Sequence, residues 1–305
     1  YDLCNIESQP TTFDLGFRLG PRINAGGRVG KASHGAELLF SNDPKKTYQI
    51  ALDLDKSNKE RQNIELILSE QINLEVKNYH NHAVLVLSGY DWHEGVIGIV
   101  ASRIKEKYNK PTVLISLKQN TGKGSARSIV GFDIGSQIIK AVQSGILQKG
   151  GGHKMAGGFV LKKDNIPIFR DFLNKNFEQS NINHSTGKNL YLDSIIAPSA
   201  LNEVFFEEIN SLSPFGSGNT EPKFVIENIK VISANIVANN HIKSVLIGKD
   251  GTTFKSFAWN AINSPLEPFL INKNKKGINI AGKIRLNQWR GERKIEFMIE
   301  DVALN

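Results

Sequence analysis

The spacing of hydrophobic and polar residues changes along the chain, and each change predicts a different kind of element. Residues 1–20 are weakly patterned, with Phe13, Leu15, Phe17 and Leu19 alternating. Helical spacing follows. Ser33 is placed to cap a helix through Phe40, and a second helix starts near Asp43-Pro44, where proline suits the first helical position. It continues without glycine or proline to about Val76. Ile64, Ile67, Leu68 and Ile72 fall on one face, and Lys56, Lys59, Glu60, Arg61 and Glu65 read as a solvated one. A helix of ~30 residues spans ~45 Å, long enough for a strut between domains.

From 80 to 180 strands and helices alternate. Ala83 to Ser88 is a continuous apolar run, the mark of a strand buried on both faces. Trp92-His93-Glu94-Gly95-Val96-Ile97-Gly98 leads into a helix carrying Val100, Ala101, Ile104 and Tyr108, ended by Pro111. Thr112 to Leu117 is a second strand, Gly122 to Ser128 a small-residue segment, and Phe132 to Val142 a helix. A glycine-rich hairpin follows from Gly150 to Leu161, then a helix from Ile166 to Phe177. Polar residues 180–190 read as a linker, Pro198 to Leu212 as a helix, and Pro214 to Asn219 as a turn.

Beyond Lys223 the pattern becomes short alternating strands: Phe224–Ile226, Val231–Ile236, Ser244–Ile247, Thr253–Ala258, Ile278–Ile284 and Lys294–Ile299. So many short strands in one segment predict a small closed barrel, with the oligonucleotide-binding fold the leading candidate.

Composition sharpens this picture. The chain has 305 residues and a formal net charge of +8, which favours a nucleic acid, anionic lipid or acidic partner. No apolar run approaches the ~20 residues a membrane helix needs, so no membrane partner is expected. The one cysteine, Cys4, rules out an internal disulfide and suits a reducing cytoplasm. The chain opens on Tyr1 rather than Met, as a piece of a longer protein would.

Two stretches suggest anion chemistry. Gly20-Pro21-Arg22-Ile23-Asn24-Ala25-Gly26-Gly27-Arg28-Val29-Gly30-Lys31 interleaves glycine with Arg22, Arg28 and Lys31, combining a flexible turn with guanidinium forks suited to phosphate. It lacks the Gly-Lys-Ser/Thr ending of a P-loop. Gly150-Gly151-Gly152-His153-Lys154 offers backbone amides beside an imidazole and an ammonium. In the barrel segment basic residues outnumber acidic ones, and Phe257, Trp259, Trp289 and Arg290 are available to stack on bases and follow phosphates.

Gly20 to Arg28, Trp92 to Gly98, Ser125-Ala126-Arg127-Ser128, Gly150 to His153 and Pro214-Phe215-Gly216-Ser217-Gly218-Asn219 occur in this order. Together they resemble the RecJ-type single-stranded-DNA exonucleases of the DHH phosphoesterase superfamily, over essentially the whole chain. The resemblance implies an α/β DHH-associated domain joined by a long helix, followed by a small β-barrel of the oligonucleotide-binding fold. Residues 1–43 would close the catalytic core, 44–79 form the connector helix and 80–180 the DHH-associated domain. Residues 181–219 would be linker and helix, and 220–305 the barrel.

The implied activity is 5′-to-3′ hydrolysis of single-stranded DNA in repair and recombination. By resemblance, Ser125, Arg127 and Arg28 hold the 5′-terminal phosphate, with Arg22 a further member. His153 acts at the scissile phosphate with the Gly151 and Gly152 amides, and Trp259, Trp289 and Arg290 bind the strand. The implied partners are single-stranded DNA with a 5′ phosphate and, among proteins, a single-strand-binding protein or a helicase.

The family's metals, manganese or magnesium, belong to an N-terminal domain with an Asp-His-His motif, which this sequence lacks. The chain is therefore expected to hold no metal itself and to be inactive alone. Two other readings stay open: a non-catalytic single-stranded nucleic-acid-binding module, and a phosphodiesterase of the same superfamily acting on short oligonucleotides or cyclic dinucleotides. A basic barrel argues against the second of these.

Overall fold

The computed structural model describes residues 1–7, 9–79, 81–180, 189–271, 277–289 and 292–304. Residues 181–188 of the expected linker, Arg290 and the side chain of Trp289 lie outside the described set. The chain divides into two compact units, 1–188 and 189–305.

The first unit opens with helices. A π-helical stretch, Asp14–Leu19, runs into α1 (Gly20–Val29), followed by α2 (His34–Phe40) and α3 (Pro44–Val76). The Gly20–Lys31 stretch is therefore helical as far as Val29, not the flexible turn its glycines suggest. Pro21 sits in the first turn, where its missing N–H is harmless. The glycines serve contact: a Cβ at Gly26 would stand 2.6 Å from the Lys31 carbonyl oxygen and 3.1 Å from Leu54 Cδ2.

Asp43 caps α3 by accepting from the amides of Lys45 and Lys46, so both ends of this helix fall where the pattern predicts. Its buried stripe does not. Leu68 and Ile72 are buried, but Ile67 is 66% exposed. The same stripe carries Asp55, Asn58, Arg61 and Glu65, all buried, so this part of the charged face is not solvated. Burial is tolerated because each charge is paired. Arg22 Nε lies 2.8 Å from Asp55 and Lys59 2.7 Å from it. Glu65 pairs with Arg61 and, at 2.6 Å, with Arg103.

The sheet follows: β1 (Leu85–Tyr90), α4 (Glu94–Tyr108), β2 (Thr112–Lys118), β3 (Thr121–Arg127), α5 (Ile134–Gln143), β4 (Lys149–His153), β5 (Ala156–Lys162) and α6 (Ile166–Glu178). Strand order is β1-β2-β3-β5-β4; β1 and β2 are parallel across the α4 crossover, and the other pairs are antiparallel. The Gly122–Ser128 segment is mostly strand β3. Its glycines hid it, because a Cβ at Gly124 would fall 2.0 Å from the Phe159 ring. Helix α4 stops before Pro111, closed by Asn109 in the left-handed conformation (φ 50°). One sheet face packs on α5 and α6 through Ala126, Phe159, Leu161, Ile138 and Phe169. The other packs on α3 and α4 through Leu85, Leu87, Leu114, Ile97 and Ile72.

The second unit contains β6 (Ser194–Ile195), α7 (Glu203–Asn210), β7 (Phe224–Val237), β8 (His241–Ile247), β9 (Thr253–Ala258), α8 (Glu267–Ile271), β10 (Ile278–Trp289) and β11 (Glu292–Leu304). Strand β10 pairs with both β11 and β7, and β9 pairs with β11 in parallel, which closes five strands into a barrel. Phe224–Ile226 and Val231–Ile236 prove to be one long strand, shared between β10 and β8. The expected helix from Pro198 to Leu212 is shorter, because Asn202 accepts from the Phe205 amide and starts α7 late. Ile226, Ile242, Leu246, Ile280 and Phe297 fill the barrel. Among the described residues, no helix is long and apolar enough to cross a membrane.

Candidate functional site

The site is built on the start of α4. His93 caps this helix, its Nδ1 accepting from the Gly95 amide at 3.2 Å. Gly95 and Gly98 lie one turn apart and face the same way. A Cβ at Gly95 would stand 2.3 Å from the Arg28 carbonyl oxygen. One at Gly98 would stand 2.8 Å from Arg127 Nη2 and 3.0 Å from Ser125 Oγ. The two glycines thus seat α1 and β3 against one helix and bring Arg28 to Arg127.

Arg127 Nη1 donates to Ser125 Oγ at 3.0 Å and to the Ala126 carbonyl at 2.8 Å. Arg28 Nη1 donates to the Gly95 carbonyl at 3.2 Å. Burial and then the nearby Arg28 charge push the Arg127 guanidinium below its ordinary pKa. Among the described residues neither arginine has a carboxylate within ion-pair distance. Two converging cations without a counter-charge, one of them half-buried, form a site whose electrostatics are satisfied by an added anion.

Sheet register places the hairpin beside them. Arg127, Ala156 and His153 form one row across β3, β5 and β4, and Ser125, Gly158 and Gly151 form the next. Cross-strand partners share a face, so Ser125, Arg127, Gly151 and His153 all project to the α4 side. The other hairpin glycines answer to packing. A Cβ at Gly157 would stand 2.4 Å from Ile138 Cδ1, and one at Gly152 would stand 2.6 Å from Gly157 Cα. At Gly151 a Cβ would meet nothing within 4 Å, and at Gly158 only the Gly124 carbonyl oxygen at 3.7 Å. This patch of sheet is bare without any packing reason to be so. His153 is exposed, its Nδ1 accepting from the Met155 amide at 3.3 Å.

Arg22 does not join the group. Its guanidinium is held by Asp55, by the Arg18 carbonyl at 2.8 Å and by the Leu3 carbonyl at 3.5 Å. Gly95, Gly98 and Gly158 carry no expected role of their own in the sequence; for the first two, the Gly-x-x-Gly spacing within Trp92 to Gly98 is the available signal. Among the described residues no three His, Cys, Asp or Glu side chains group so as to hold a metal ion.

In the second unit, Trp259 is 53% exposed and stands edge-on to His241 at 4.5 Å between ring centroids and tilted against Phe257 at 4.8 Å. Lys243 pairs across the strands with Phe257. The result is an aromatic cluster on the barrel surface beside Lys243, whose ammonium pairs with Glu296 at 3.4 Å. The expected contributions of Trp289 and Arg290 fall outside the described residues.

Residues 81–179 match the DHHA1 domain and residues 192–301 the RecJ OB domain. A DHHA1 domain followed by a RecJ OB domain is the class of protein that this fold defines. Over both domains the chain is similar to RecJ proteins. It is 32% identical to the single-stranded-DNA-specific exonuclease RecJ of Haemophilus influenzae, over 97% of this chain and 52% of the relative. It is 29% identical to the Bacillus subtilis protein of that name, over 95% of this chain and 37% of the relative. The crystal structure of Thermus thermophilus RecJ with Mn2+ superposes with a TM-score of 0.83 at 25% identity, covering 98% of this chain and 43% of that one. The chain spans about half the length, or less, of these relatives.

Proposed function

We propose that this chain is the strand-gripping part of a 5′-to-3′ single-stranded-DNA exonuclease, and that it recognises the 5′-terminal phosphate. Arg28, Arg127 and the Ser125 hydroxyl hold that phosphate. His153 and the β4 backbone at Gly151 and Gly152 lie against the next one, beside the bond to be cleaved. The barrel binds the strand further along, with bases on Trp259 and phosphates near Lys243. The observation that carries this reading is the convergence of Arg28 and Arg127 with no carboxylate between them. A hydroxyl end would leave both guanidiniums uncompensated, so a phosphate end is selected.

The divalent metal, manganese or magnesium, would polarise the scissile phosphate and activate water. Its ligands would come from a part of the enzyme other than these 305 residues. Strong nucleotide release by the 305-residue chain in manganese would overturn that assignment.

Fluorescence anisotropy tests the end recognition. The chain should bind a short single strand with a 5′ phosphate about tenfold or more tighter than one with a 5′ hydroxyl, since charge-assisted contacts contribute ~1.5–3 kcal/mol. Arg127→Ala should abolish this preference and leave binding of the hydroxyl-ended strand intact. An equal loss on both ends would make Arg127 structural.

A further inference from the structure

The row of side chains beyond Ser125 has no part in holding a single terminal phosphate. On the α4 side of the sheet, Lys123, Val160 and Lys149 form the row that follows Ser125, Gly158 and Gly151. It lies on the far side of Ser125 from Arg127 and His153. Alternate rows are about 7 Å apart along a strand. Between Lys123, Lys149 and the start of α4 lies a cleft of about 500 Å³, into which Ser125, Gly158 and Glu94 also face.

Its charges are unbalanced. Lys149 has no acidic partner among the described residues. Lys123 Nζ lies 2.8 Å from Glu94, but Glu94 also pairs with Lys118 at 3.5 Å, so one carboxylate serves two ammonium groups. The Lys123 hydrogen bond, ahead of the lysine charges, holds the Glu94 carboxyl below its usual range, so it stays ionised. The cleft's two lysines, Lys123 and Lys149, and Lys118 outside its lining then have one carboxylate among them. The floor is bare at Gly158, in the row beside Ser125, and carries the Val160 side chain between Lys123 and Lys149.

We infer that this cleft is a second anion subsite, taking the β- and γ-phosphates of a nucleic-acid strand with a 5′-polyphosphate end. The inference rests on the terminal phosphate lying at Arg28, Arg127 and Ser125. From there a strand runs toward His153, and any group added to its 5′ end must run the other way. That direction crosses the bare Gly158 to the next row, where Lys123 and Lys149 flank Val160. Two further phosphates carry the charge that the lysines lack, and they span the row spacing.

The test measures binding of the 305-residue chain to one labelled single strand with a 5′-hydroxyl, 5′-monophosphate or 5′-triphosphate end. The triphosphate end should bind about tenfold tighter than the monophosphate end, the gain of one or two charge-assisted contacts. Lys149→Ala and Lys123→Ala should remove that gain and leave the affinities for the monophosphate and hydroxyl ends unchanged. Equal binding of triphosphate and monophosphate ends by the unaltered chain would overturn the subsite. So would an equal drop on all three ends in the lysine variants, which marks a non-specific field. If monophosphate is still preferred over hydroxyl in either case, the subsite fails alone; if that preference is also absent, the end-recognition reading fails with it.

Discussion

At the scale of single residues, the glycines separate into those fixed by the fold and those left free for a ligand. Gly98→Ala would push a methyl group within 2.8 Å of the Arg127 guanidinium, and Gly95→Ala within 2.3 Å of the Arg28 carbonyl. Over-packing of this kind costs about 1–3 kcal/mol, and here it moves both arginines as well. Gly151→Ala has open space around its new methyl group, so stability should change by less than ~0.5 kcal/mol. Yet that methyl group would occupy the bare sheet where the strand is proposed to lie. Urea unfolding combined with anisotropy distinguishes the two classes. Gly151→Ala should keep its unfolding midpoint and lose affinity for single strands; unchanged affinity would remove Gly151 from the interface. The sequence shows that glycine is abundant from 150 to 158 but not which positions packing requires. That depends on Ile138 of α5 and on Phe159, which reach the hairpin only in the folded sheet.

At the scale of elements, helix α3 shows which signals are local and which are not. Asp43-Pro44 caps and starts the helix through contacts two and three residues away, so its start is legible in the sequence. Its inner face is not. Arg61 and Glu65 look like an ordinary exposed pair at i and i+4, but they are buried where α4 brings Arg103 to Glu65, as α1 brings Arg22 to Asp55 one stretch earlier. The β3 strand is obscured similarly, its apolar face supplied across the sheet by Phe159 and Leu161. The α3 cluster yields a sharp expectation. Glu65→Ala strands the Arg61 guanidinium in the interior and should destabilise the first unit by about 3 kcal/mol. Arg103→Ala removes a partner that is 61% exposed and leaves Glu65 with Arg61, so its effect should stay below ~1 kcal/mol. Equal effects of the two in chemical unfolding would show that the cluster is solvated after all.

At the scale of the whole molecule, the proposed end recognition and the proposed strand holding belong to different units. Every buried residue of the two sheet cores lies before residue 181, and every buried residue of the barrel core lies after 189. Each unit therefore has an apolar interior of its own, the condition for folding alone. Fragments 1–180 and 189–305, made separately, should each give a cooperative thermal transition. Their binding should divide as well. Fragment 1–180 keeps Arg28, Arg127 and Ser125, and so should retain the preference for a 5′-phosphate end, at lower affinity. Fragment 189–305 should bind single strands with no end preference, through phosphate contacts that weaken steeply with salt. In that fragment Trp259→Ala should lose about 1–3 kcal/mol, the contribution of one stacked base. A 5′-phosphate preference found in the barrel fragment, or missing from 1–180, would break the assignment of the two tasks. If the division holds, strand affinity can be altered through Trp259 and end choice through Arg127, each without disturbing the other, because no residue is shared between the two sites.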